Sequence, residues 1–277
     1  MFAGRDAAAD TLLDKALALD HGAPRVHWLK GQLAAWRGDR AAALAHYQAC
    51  RARADVAAPA DFMIAAMGGA ETPERAPDDY VRAYFDWYAE GYDRHLTEAL
   101  GFAVPALLHA AIAASDPAAG GAGLDLGCGT GLTGAAIAPL VGDLTGVDLS
   151  PAMLERARAR GCYDRVVEAE VHAFLAGAPE ASADLVVAGD VLVYVGDLAP
   201  LLRDVARALR PGGLFAATTE HGEDGVELAA SGRYRHGVAA VERQAAAAGL
   251  AVVARTPATL RRELGAPVAG DVWVMRR

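Results

Sequence analysis

The chain has 277 residues, 53% apolar and 22% charged, enough for one sizeable core with a smaller unit beside it and unlike a disordered chain. A net charge of -9, relieved only by the short pairs Arg261-Arg262 and Arg276-Arg277, offers no long-range attraction to phosphates and argues against a nucleic acid partner. Cys50, Cys128 and Cys162 lack disulfide or zinc spacing, so no metal is expected; the N-terminus has no apolar signal core and no apolar run reaches membrane-spanning length, which reads as a soluble cytoplasmic protein with no membrane partner.

Residues 6–55 have the pattern of alanine-rich amphipathic helices. One stretch has the spacing of a tetratricopeptide (TPR) unit, with Gly31, Gly38-Asp39 at the turn, then Ala43, Tyr47 and Cys50, while Ala9, Leu13 and Ala16 occupy equivalent places about one repeat earlier. So few repeats rarely stand alone, which leaves two readings open: a helical appendage, or a groove for a protein partner. The segment from Gly68 to Pro77 has linker composition. A helix then starts at Asp78 or Asp79 and carries Tyr80, Tyr84, Tyr88 and Tyr92 at every fourth position, a line that either packs in a core or faces a site.

From Ala122 onward short apolar runs alternate with helical patterns, the mark of a parallel sheet covered by helices. Strands are predicted near 122–126, 143–148, 165–170, 184–190, 213–219, 250–256 and 270–275. Ser150-Pro151 supplies an N-cap and a first-turn proline for the helix after the second strand. The expected organisation is a TPR-like helical unit over 1–70, a helical lid or connector over 71–115 and an α/β domain over 116–277.

The chemistry lies in Leu124-Asp-Leu-Gly-Cys-Gly-Thr-Gly131, followed by Val147-Asp148 at the end of the next strand. Gly129-x-Gly131-x-x-Gly134 also fits a dinucleotide fingerprint, with Asp148 at the ribose position. A carboxylate at Asp125 beside Gly127 suits a ligand carrying an ammonium and a sulfonium better than one carrying phosphates. The segment resembles motif I of the Rossmann-like (class I) S-adenosylmethionine (SAM) methyltransferases, and Val-Asp-Leu-Ser-Pro-Ala-Met-Leu and Leu209-Arg-Pro-Gly-Gly213 extend the resemblance. It is closer still to bacterial methyltransferases with an N-terminal TPR-like unit.

That resemblance implies a seven-stranded, mostly parallel sheet whose last strand, ending in Val272-Trp-Val-Met275, inserts antiparallel beside strand five. It implies SAM as cofactor and S-adenosylhomocysteine as product. The implied cofactor residues are Asp125, Gly127, Cys128, Gly129 and Gly131 after the first strand, Asp148, Leu149 and Met153 after the second, Glu170 and Val171 after the third, and Asp190 after the fourth; Glu168 competes with Glu170 for the adenine. The phrase Tyr84–Leu96 resembles the helix that closes over the cofactor in small-molecule methyltransferases.

An acceptor pocket would then draw on Tyr88, Tyr92, Tyr194, Arg233 and Tyr234. His221 with Glu220, just after the fifth strand, is the candidate base, or else His221 is an exposed loop histidine. Asp190-Val-Leu-Val differs from the Asn-Pro-Pro-Tyr phrase of adenine-N6 and glutamine methyltransferases. The reading is a methyltransferase acting on a small molecule as a monomer or homodimer, with a protein methyltransferase, a SAM-binding scaffold without turnover, and a nicotinamide dehydrogenase as successively different alternatives.

Overall fold

The computed structural model describes residues 3–51, 56–115, 121–263 and 265–277. The chain forms two compact units, Met1–Tyr80 with Leu228–Arg233, and Val81–Glu227 with Tyr234–Arg277.

The first unit contains α1 (Ala3–Leu19), α2 (Pro24–Trp36), α3 (Arg40–Cys50) and α4 (Ala57–Ala66). Pro24 opens α2 with φ already set for a helix, and the Asp39 side chain caps α3 by accepting from the Ala42 amide at 3.0 Å. Gly38 between them takes φ 78°, which a β-carbon would strain. Where α2 crosses α3, a β-carbon on Gly31 would lie 2.7 Å from the Tyr47 ring, and Ala43, Tyr47 and Cys50 are fully buried. These are the positions singled out by their spacing. The Leu228–Arg233 segment joins this unit by seating Gly232 against Phe62, Met63 and Tyr80.

In the second unit, α5 (Asp78–Tyr88) leads through a short turn to α6 (Tyr92–Arg94), a π-helical turn over His95–Ala99, and α7 (Val104–Ser115). The sheet strands are β1 (Ala122–Leu126), β2 (Asp143–Asp148), β3 (Arg165–Glu168), β4 (Ala183–Ala188), β5 (Leu209–His221), β6 (Val226–Leu228), β7 (Tyr234–His236), β8 (Ala251–Glu263) and β9 (Ala266–Arg276). Between them lie α8 (Leu132–Ile137), α9 (Pro151–Arg160), α10 (Val171–Gly177), α11 (Ala199–Ala208) and α12 (Val238–Ala247).

The parallel order is β3-β2-β1-β4-β5, and β9 runs antiparallel between β5 and β8. This is the mostly parallel Rossmann-like sheet with the antiparallel insertion expected beside strand five. Its faces follow from strand alternation. Phe215, Ala217, Trp273 and Met275 pack toward Leu201, Leu202 and Val205 of α11, while Leu214, Ala216, Val272 and Val274 pack toward Val104, Leu108 and Ile112 of α7.

Two features depart from the expected strand list. The sixth expected strand, 250–256, is the start of the longer β8, which runs to Glu263 as the outer arm of a hairpin with β9. Residues 226–228 and 234–236, read from sequence as loop, form two three-residue strands, too short to show a period. β7 pairs in parallel with the tip of β5, Glu220 with Arg235 and His221 with His236, beyond the point where β4 ends. No single helix among the described residues is long and apolar enough to cross a membrane.

Candidate active site

Ligands of open α/β sheets bind outside the carboxyl ends of the strands, where connections diverge to opposite faces. At the end of β1 the glycine loop performs two separate tasks. Gly131, Gly134 and Gly146 make room for one ring: β-carbons on Gly131 and Gly146 would lie 2.9 Å from Tyr163, and one on Gly134 would overlap its hydroxyl. That hydroxyl donates to Asp125 Oδ2 at 2.7 Å. Gly129 is different, with φ 53° and open space where its β-carbon would be.

Asp125 is 1% exposed and its Oδ1 has no partner. Burial raises its pKa to about 7, and the charge of Asp148 adds to the rise. The Cys128 thiol, pushed up by burial, points into a small cluster with Leu154 and Ala157, and the Cys128 amide and carbonyl are bonded to Val147 and Gly131. Met153, also expected at the cofactor, has a fully buried side chain, and its amide serves the Ser150 cap of α9.

Asp148 stands at the end of β2. Its Oδ2 accepts from the Gly129 amide at 2.8 Å and its Oδ1 from the Ser150 amide at 2.9 Å, so each oxygen keeps lone-pair capacity for a hydroxyl. Leu149 beside it is half-buried. After β3, Glu170 caps α10 through the Ala173 amide at 2.9 Å, and the half-buried Val171 packs against the core. The neighbouring Glu168 instead pairs with Arg82 of α5 at 2.8 Å.

Asp190, after β4, holds φ 61°, an uncommon conformation for a residue with a side chain, and strain of this kind clusters at functional sites. Its amide donates to Thr218 Oγ1 at 2.9 Å. Arg261, 3% exposed, reaches Asp190 Oδ1 at 3.3 Å, Glu220 Oε1 at 2.5 Å and Glu263 Oε1 at 2.6 Å. Glu220 is thereby held in a buried ion pair. His221, on the opposite face of β5, meets Asp271 Oδ2 at 3.1 Å, and Asp271 is fully buried against Arg255 at 2.8 Å. Strand alternation therefore separates the two residues that the sequence reading coupled as a base.

α5 and α6 form a strap along this edge. Arg82 pairs with Glu168 after β2's neighbour β3, Asp86 accepts from the Ser150 hydroxyl at the start of α9, and Asp93 bonds Thr130 of the glycine loop and Arg160 of α9. Phe85 lies 5.6 Å from Tyr194 and 6.1 Å from Tyr92, and Tyr88 lies 5.1 Å from Tyr92, all edge to face. Tyr88, Tyr92 and Tyr194 thus share one cluster. Tyr234 is fully buried and belongs to the second unit, whereas Arg233 belongs to the first.

Several of these residues carried no motif. Arg261 read only as part of a basic pair because β8 was expected to stop at 256; the strand continues to 263, and a break in register between Thr259 and Arg261 leaves both Leu260 and Arg261 buried, which alternation alone does not foresee. Asp86, Asp93, Tyr163 and Asp271 are brought in by tertiary packing, and no local signal marks them.

The edge fits SAM on its own evidence: an open left-handed Gly129, an acid with spare acceptors beside it for vicinal hydroxyls, and an unpartnered buried oxygen at Asp125. Sheet order, antiparallel insertion and this glycine-acid edge are those of a Rossmann-like α/β domain. Residues 124–217 match the family model described as a methyltransferase domain.

The chain is 38% identical over 104 residues to a ubiquinone biosynthesis O-methyltransferase of Xanthomonas oryzae, covering 36% of this chain and 44% of that protein. It is 43% identical over 95 residues to a trans-aconitate 2-methyltransferase of Methylobacterium radiotolerans, covering 34% and 35%. The chain thus spans less than half the length of these relatives. The fold is shared with a SAM-dependent methyltransferase of Leishmania major, TM-score 0.55 at 16% identity over 72% of this chain and 84% of that one. A SAM-dependent methyltransferase of Clostridium acetobutylicum gives TM-score 0.52 at 15% identity over 70% and 98%.

Proposed function

We propose that the protein transfers a methyl group from SAM to a small-molecule acceptor by direct displacement onto oxygen, nitrogen or carbon, in the cytoplasm. The observation that carries this reading is the juxtaposition of Gly129 and Asp148 with a strap of aromatic side chains along the same edge. The names of the two relatives, a quinone-pathway O-methyltransferase and a trans-aconitate methyltransferase, support a metabolite acceptor.

When bound, SAM supplies an electrophilic methyl group on a sulfonium. The protein's part is to hold the acceptor in line, exclude water and receive a proton where the acceptor has one to lose. Asp148, held by the Gly129 amide, binds and orients. Tyr88, Tyr92 and Tyr194 supply apolar area with hydroxyl handles. Asp190, in its strained turn and tied to Arg261, fixes the backbone after β4 near the reacting centre. His221 is open to solvent with its Nδ1 tied to Asp271, and its exposure suits exchange with water.

A protein acceptor is the second reading. It is favoured by an apolar groove of about 510 Å³ in the first unit, lined by Leu12, Leu13, Leu29, Leu33 and Trp36. Incubation with methyl-labelled SAM and host extract separates the two: label in the low-mass fraction, lost in Asp148→Ala, is the expected result, and label confined to acid-precipitable material would replace it with the protein reading. If wild type binds no SAM by calorimetry, the methyltransferase reading itself fails.

A further inference from the structure

His236 is 1% exposed at the end of β7, and the two nitrogens of its ring have unlike surroundings. Nε2 lies 2.9 Å from the carbonyl oxygen of Val195. A carbonyl only accepts, so Nε2 carries the hydrogen and Nδ1 keeps its lone pair. Nδ1 has no hydrogen-bond partner and no solvent contact. An orphaned buried acceptor forfeits the hydrogen bond it makes in water, and such atoms call for an explanation in redox chemistry, catalysis or a missing guest.

The location narrows the explanation. β7 extends the sheet beside the tip of β5, in the space past the end of β4, and Val195 follows Tyr194 in the loop that Asp190 begins. This is the stretch of the carboxyl edge assigned above to the acceptor. The charge acting on the imidazole is that of Glu220 on β5; the carbonyl of Gly196 also faces the ring, and His221 is its register partner. Burial holds the ring below the usual histidine range, in its neutral form.

We infer that His236 is the catalytic base, its Nδ1 taking the proton of the acceptor's hydroxyl or amine. This inference rests on the methyltransferase reading. The acceptor's O–H or N–H bond breaks and leaves its electron pair on the acceptor atom, and the Nδ1 lone pair forms the new N–H bond. That acceptor pair makes the bond to the methyl carbon as the carbon–sulfur pair withdraws onto sulfur. The imidazolium returns its proton to water when the product leaves. The role is distinct from that of His221, whose Nδ1 is already engaged by Asp271.

His236→Gln tests this, because the glutamine amide can still donate to Val195 at the Nε2 position while supplying no base at Nδ1. Turnover is read as low-mass label formed from methyl-labelled SAM and host extract, with SAM affinity by calorimetry as a second readout. The expected result is SAM affinity within about twofold of wild type, turnover lower by about 100-fold, loss of the acid limb of the pH–rate profile, and partial recovery of His236→Ala by added imidazole. Wild-type turnover in His236→Gln overturns the inference. So does loss of SAM affinity in step with turnover, which would mark a purely structural histidine. Failure of wild type to bind SAM would instead strike the methyltransferase reading.

Discussion

The two units place their charges in opposite ways. In the first, Lys30 bridges Asp10 and Asp14, and Arg37 pairs with Asp10, on a surface where the acids are 29% and 64% exposed. The Arg37 guanidinium holds Asp10 below the usual carboxylate range. In the second, Arg261 and Asp271 lie almost without solvent at the carboxyl edge. Exposed pairs exchange one polar environment for another and contribute little, whereas buried charge persists only where its partners are complete. Costly charge gathers along one edge of the sheet, and that edge is the candidate site.

The contrast is sharpest for single substitutions. Arg261→Met strands Glu220 and Asp190 in the interior and is expected to cost about 3–5 kcal/mol in urea unfolding, while Lys30→Met in the first unit costs less than about 1 kcal/mol. Equal losses would erase the distinction between the units.

Within the second unit, the glycines of one loop are expected to separate. Gly134→Ala must displace the Tyr163 ring and lowers stability by roughly 2 kcal/mol. Gly129→Ala meets no atom, costs only about 1 kcal/mol for its left-handed backbone, and weakens SAM binding at least tenfold by calorimetry. A Gly129→Ala protein with unchanged affinity would move the site elsewhere.

A last contrast is one of pH. With its carboxyl raised from 3.8 to about 7, native Asp125 keeps a proton that the unfolded chain gives up near pH 4. The native state therefore loses stability as pH rises from about 4 to about 7 and no further above that. Asp125→Asn removes this slope, with a gain of about 4 kcal/mol at pH 7 before any ligand is added. Thermal melts of the two proteins across that window should converge at low pH; parallel curves would place the titration on another group.

Much of this was legible because it depends on local rules. The Ser150 cap and Pro151 start of α9 and the short apolar runs that made β1, β2 and β4 strands follow from neighbours a few residues apart. Gly129 and Asp148, picked out by motif spacing, meet at the ends of their strands. The coupling of Glu220 with His221 failed for a reason equally elementary: adjacent residues on a strand face opposite sides, and side-chain direction was not available until the strand's end was located.

The sequence by itself determined the alternating α/β architecture and the glycine-acid motif, since hydrophobic period, turn residues and motif spacing are written in contiguous stretches, while the antiparallel last strand was implied only by the family resemblance. Tertiary structure alone decided that Tyr163 occupies three of the glycines, that Arg261 joins Asp190 to Glu220, and that His236 is sealed beside the post-β4 loop. Those contacts join residues 17 to 71 positions apart, such as Arg261 and Asp190, and no periodic pattern records which distant side chains a closed sheet will bring together.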